Sequence, residues 1–133
     1  MQLKTIFSTL LIAFAVMSCN QTVNSQSTAS VVNIDGAKLT EMAKDSNTII
    51  IDVRTPGEVA EGYIPGTKLF MDYNGGQFET SYKSLDTSKT YIIYCRSGKR
   101  SSNASEQMIQ AGYKKVYNLT GGISNWSGDI KKD

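Results

Sequence analysis

The chain has 133 residues, with 14 Lys and Arg against 12 Asp and Glu, two cysteines and no histidine. That length holds one domain, and nothing in a charge balance this close to neutral argues for nucleic acid, so no nucleic-acid partner is expected. The missing histidine excludes Cys–His and Ser–His catalysis, and any zinc site built from cysteine and histidine within the chain.

In chain order, the first expected element is an export signal. Lys4 supplies its positive charge, and residues 6–17 are almost wholly apolar but too few for a membrane span. The stretch "VMSC" (16–19) resembles a bacterial lipoprotein cleavage site, which makes residues 1–18 the signal peptide and Cys19 the lipid-attachment residue. The expected product is an exported, periplasmic protein anchored to a membrane by lipid, carrying 13 basic against 12 acidic side chains. Residues 19–30 then comprise the attachment cysteine and a flexible tether, because "NQTVNSQSTAS" is polar, uncharged and without apolar periodicity. The folded domain is expected over 31–128, with 129–133 as a frayed tail.

Within the domain, "SVVNI" (30–34) is a weak strand candidate. Asp35 follows as a helix N-cap, with Ile34, Leu39, Met42 and Ala43 on one face. "TIIIDV" (48–53) and "TYIIYC" (90–95) are β-branched and aromatic with few polar positions, the pattern of central strands buried on both faces. Between them "TKLFM" (67–71) is a weaker strand candidate. Residues 101–111 place Ala104, Met108 and Ala111 on one helix face, with Gly112 where a C′ glycine belongs, and "KVYNL" (115–119) closes the series as a strand. Helices alternating with strands predict an α/β fold with a parallel sheet covered on both faces.

Cys95 stands where the second strong strand ends and a helix is about to begin. With Cys19 lipidated it has no partner for an internal disulfide. Loop amides and a helix N-terminus stabilise a thiolate at such a junction, Gly98 permits a tight loop, and Arg96, Lys99 and Arg100 add full charges. The expectation is a partly exposed thiol of lowered pKa, nucleophilic without an imidazole, at the sheet edge where open α/β folds bind ligands. A cysteine that merely continues the core does not explain three cations and a glycine in the next five residues.

Three stretches together, "IIDVRTPGEVAEGYIPGT" (50–67), "IIYCRSGKRSSNAS" (92–105) and "VYNLTGGISNW" (116–126), resemble a single-domain rhodanese, a thiosulfate sulfurtransferase. The resemblance implies a rhodanese-like α/β fold around a central five-stranded, mostly parallel sheet flanked by helices on both faces. It also implies a cysteine that carries a persulfide: the Cys95 thiolate takes the outer sulfur of thiosulfate or a related donor, then passes it to cyanide or a thiol. No metal or organic cofactor is implied. The partners are a small sulfur donor such as thiosulfate or a polysulfide and a thiol acceptor, and the protein is expected to be a monomer.

Carried onto this chain, Cys95 is catalytic, and Arg96, Ser97, Gly98, Lys99 and Arg100 complete a six-residue active-site loop. Its cations are candidates to bind an anionic donor, Arg100 foremost. Asp52 and Arg54 border the pocket or brace it, and Glu58 reads as an ion-pair and loop brace in preference to a catalytic acid. Gly121, Gly122 and Trp126 read as a turn and a packed aromatic. One departure is visible: Tyr63 and Thr67 in "EGYIPGT" stand where the family usually has "EGHIPGA".

Two rival readings use the same loop. Phosphatases and arsenate reductases of the related fold resemble a C-x5-R loop, whereas here arginine is at 100 and serine at 101, making a loop one residue shorter and a smaller cup. Non-catalytic rhodanese-like binding or sensing modules often lack the cysteine that this chain keeps.

Overall fold

The two strong apolar runs form the middle of the sheet. In the computed structural model, which describes residues 28–133, strands β1 (Val32–Ile34), β2 (Thr48–Asp52), β3 (Thr67–Phe70), β4 (Thr90–Tyr94) and β5 (Val116–Leu119) pair in the order β1-β5-β4-β2-β3. Every pairing is parallel. The central β4 is buried from Tyr91 to Tyr94 and the adjacent β2 from Ile50 to Asp52, whereas the edge strands alternate or lie exposed. A strand covered on both faces has no reason to alternate polar and apolar residues, which is why these runs are continuous. The signal peptide, Cys19 and most of the tether lie outside the described residues.

Successive side chains of β4 feed two cores on opposite sides of the sheet. Tyr91, Ile93 and Cys95 pack with Ile51, Phe78, Ala104, Met108 and Tyr113 on one side. Ile92 and Tyr94 pack with Ile34, Leu39, Ile64 and Leu119 on the other. Period-two alternation therefore delivers Cys95 to the same side as helix α4 (Lys99–Gln110).

Helix α1 (Gly36–Met42) starts as expected, with the Asp35 carboxylate accepting from Lys38 N at 2.8 Å. Its face differs in detail, because Ile34 belongs to β1 and Ala43 is exposed, leaving Leu39 and half-buried Met42 to make the contact. Helix α4 ends in a Schellman cap: Tyr113 N donates to Met108 O at 3.1 Å and Gly112 N to Ile109 O at 3.0 Å, with Gly112 at φ +100°. Ala104 and Met108 are buried, but Ala111 is exposed because it already lies at the cap.

Two short helices lie outside the expectations, α2 (Pro56–Ala60) and α3 (Gln77–Ser81). The start of α2 is nevertheless written locally as a capping box. Thr55 Oγ1 accepts from Glu58 N at 3.3 Å, Thr55 N donates back to Glu58 Oε2 at 3.1 Å, and Pro56 occupies the first position.

The expected frayed tail is instead docked. Tyr63 and Lys131 exchange backbone hydrogen bonds of 2.9 Å in both directions, and Tyr63 OH donates to Asp133 Oδ1 at 2.8 Å. A pentapeptide with two lysines gives no local signal for this, because its partner is a loop far away in sequence.

Candidate active site

Cys95 follows β4 directly, at the carboxyl end of the central strand, and the chain turns through Arg96, Ser97 and Gly98 into α4. The turn requires Gly98, at φ +102°, a region that penalises side chains. It brings donors onto the sulfur: Gly98 N lies 3.1 Å from Cys95 Sγ and Ser101 Oγ 3.4 Å from it. Burial pushes the thiol pKa up. Hydrogen bonds from the Ser101 hydroxyl and from the backbone amides of Ser101, Gly98 and Ser97 outweigh it, and the net shift is downward. The cysteine is 1% exposed rather than partly open, because the loop folds back over its own first residue.

The Ser101 hydroxyl has two acceptors, Cys95 Sγ and Gly98 O at 3.1 Å, and a single proton to give. It can turn toward the sulfur as charge develops there, at the cost of a weaker neutral bond. Sequence reasoning noted position 101 as the start of the helix and as the place where a phosphatase would carry arginine, and so missed this contact.

Beneath the loop lies a second support. Ile123 N donates to Cys95 O at 2.9 Å and Ser124 N to Arg96 O at 3.0 Å, both from the 3-10 turn Gly122–Asn125. Gly122 makes the approach possible, since a Cβ there would sit 2.4 Å from Cys95 O and 2.6 Å from Arg96 O. The glycine pair expected to be only a turn is thus also the seat of the cysteine loop. Trp126 packs on the second core, and its indole N–H donates to Asp129 O at 2.9 Å.

Arg54 and Asp52 form a buried brace, 5% and 0% exposed. The guanidinium donates to both Asp52 carboxylate oxygens, at distances down to 2.7 Å, and also to Gly62 O at 2.7 Å and Glu58 O at 3.2 Å. A charge pair this buried is tolerated because its hydrogen-bonding capacity is met. Next to it, the departures from the family pattern have local explanations. Thr67 Oγ1 lies 3.0 Å from Tyr94 OH and donates to Ile64 O at 2.7 Å, while Tyr63 receives the docked tail. Burial raises the Tyr94 phenol well above its ordinary pKa, so it stays protonated beside Cys95 at the strand end.

The three cations of the loop part company. Arg96 and Lys99 are exposed and make no ion pair among the described residues. Arg100 instead meets Glu58 through two parallel bonds of 2.8 Å. That fork on the carboxylate is the main reason the Glu58 pKa falls to about 2. Burial opposes the fall and Thr55 adds to it.

A cavity of about 460 Å³ lies elsewhere, between α1 and the carboxyl-terminal segment, with Leu39, Pro65 and Trp126 in its wall and none of the cysteine loop.

A family model described as a rhodanese-like domain matches residues 35–129. The chain belongs to the rhodanese-like family. It is 34% identical over 98 residues to a protein named sulfurtransferase from Allochromatium vinosum, covering 73% of this chain and 89% of that relative. It is 29% identical over 94 residues to a protein named thiosulfate sulfurtransferase from Pseudoalteromonas translucida, covering 71% of this chain and 87% of the relative. Among solved structures, a rhodanese-related protein from Thermoplasma volcanium superposes with a TM-score of 0.66 at 28% identity, over 77% of this chain and 99% of the other. The five-stranded rhodanese-like sheet is thus the feature this chain shares with its family.

Proposed function

We propose that the protein is a sulfurtransferase that carries sulfane sulfur on Cys95. The observation that carries this reading is the convergence on Cys95 Sγ of the Gly98 amide and the Ser101 hydroxyl, which lowers the thiol pKa without any imidazole. In the first half-reaction the thiolate attacks the outer sulfur of thiosulfate. A Cys95 S–S bond forms, the donor's S–S bond breaks, and its electron pair leaves on sulfite. In the second half-reaction a thiolate or cyanide attacks the terminal sulfur of the persulfide, and the electron pair returns to Cys95. Each step exchanges one soft nucleophile for another, so little acid–base assistance is needed. The amides that favour a thiolate also favour the persulfide anion, and one cup serves both steps.

Arg96 and Lys99, exposed at the loop, are suited to meet an anionic donor, and Ser97, Gly98 and Arg100 complete the cup. Asp52 and Arg54 hold the neighbouring strand end in place. The sulfurtransferase names of the relatives support the same reaction class. Serine at 101, bonded to the sulfur, leaves no closing arginine of the phosphatase kind.

Incubation with thiosulfate alone is expected to raise the intact mass by about 32 Da, one sulfur bound covalently to the nucleophile, and Cys95→Ser is expected to abolish the gain. Hydrolysis of an aryl phosphate without any mass gain would select the phosphatase reading instead. The signal-like residues 1–18 and Cys19 support an exported, lipid-anchored protein. Cys19→Ser would then no longer partition into detergent.

A further inference from the structure

We infer that Glu58 is a positioning residue that withholds Arg100 from the donor and leaves Arg96 and Lys99 as the cations that recognise it. Two terminal nitrogens of Arg100 lie 2.8 Å from the two oxygens of Glu58. A guanidinium engaged edge-on by one carboxylate does not offer that edge to a second anion. The carboxylate itself is not free to swing away. Its Oε2 also accepts from Thr55 N at 3.1 Å and Thr55 Oγ1 at 3.0 Å, as the closing member of the capping box of α2. Its own backbone carbonyl receives Arg54. The pair is only 20% exposed on each side, so it is shielded from water more than a surface ion pair.

Arg100 is the second residue of α4, and the first turn of that helix carries the Ser101 hydroxyl that touches Cys95 Sγ. Fixing Arg100 to α2 therefore fixes the start of α4 across the mouth of the site. The arrangement also sets the local charge: of three cations in the loop one is paired with Glu58, although its charge still acts on Cys95, and two remain exposed and without an acidic partner among the described residues. A cup organised this way favours a small donor with an anionic end reaching outward over one grasped deeply by an arginine fork.

This deepens the sulfur-transfer reading and draws its catalytic meaning from it, but anion binding at the cup can be read without turnover. The probe is inorganic sulfate, and the readout is its protection of Cys95 against iodoacetamide. In Glu58→Gln the capping box survives, because glutamine fills the same place, while Arg100 is released. Sulfate protection is expected at concentrations lower by about threefold or more, the size of a solvent-screened charge contact. In Arg100→Lys, which keeps the charge and loses the fork, protection is expected to match the parent protein, whereas Arg96→Ala and Lys99→Ala should each weaken it. Unchanged or weaker protection in Glu58→Gln overturns the inference. So does an Arg100→Lys loss as large as that of Arg96→Ala, and this second variant decides the matter alone if Glu58→Gln does not fold. Failure of the mass gain with thiosulfate would strike the sulfur-transfer reading and leave this result standing.

Discussion

Replacing Gly122 by alanine tests whether the cysteine loop is seated on the 3-10 turn below it. The new Cβ would fall 2.4 Å from Cys95 O, inside any tolerated contact, so the turn and the loop must separate. Separation breaks the bonds from Ile123 N and Ser124 N to the loop carbonyls, now 2.9 and 3.0 Å. At about 1 kcal/mol each they contribute about 2 kcal/mol. Alanine at φ +59° adds about 1–2 kcal/mol of backbone cost, for an expected loss of about 3–4 kcal/mol. Gly112→Ala is the matched control, since that glycine also has a left-handed φ, +100°, but nothing within 4 Å of its Cβ position. It should show the backbone cost alone. Urea unfolding followed through Trp126, the single tryptophan, measures both, with the slope expected to stay constant. The Gly122 variant should also alkylate more slowly at Cys95, whereas Gly112→Ala should not. Equal stabilities for the two variants, within about 0.5 kcal/mol, would refute the steric argument.

Three further outcomes follow from the geometry. Ser101→Ala removes the hydroxyl that offsets burial of the thiol, so iodoacetamide should react with Cys95 more slowly at neutral pH and its pH profile should move upward; an unmoved profile would show the hydroxyl resting on Gly98 O instead. Glu58, depressed from 4.5 to about 2 in the fold, contributes stability that is fully present above pH 4.5 and lost as pH falls toward 2. The stability gap between the parent protein and Glu58→Gln should therefore close across that window in acid urea titrations, and a gap independent of pH would contradict the ion pair. Deleting residues 130–133 removes the paired backbone bonds to Tyr63 and should cost about 1–2 kcal/mol in the same urea assay; no change would mean that the tail frays in solution.

Much of the fold was legible because its causes are local. The β-branched runs at 48–53 and 90–95 announced the two central strands, Asp35 announced a helix start and Gly112 a helix end. The Cys95 loop was legible for the same reason: a strand, a glycine and a run of cations are neighbours along the chain. Helix α2 was missed, although "TPGE" carries its capping box, because it is so short that its apolar periodicity never repeats.

What the chain alone determined, then, was the parallel α/β class, the place of Cys95 at a strand end and the tight loop whose amides face it, because propensity, capping and loop geometry act over a few residues. Only the tertiary structure decided which cations are free, what supports the loop and where the tail goes. Glu58 and Arg100 are 42 residues apart, and their meeting depends on β2 lying next to β4 so that the elements following each strand emerge side by side. Gly122 reaches Cys95 because β5 lies on the other side of β4. Strand order is a property of the whole packed sheet, and no local pattern encodes it.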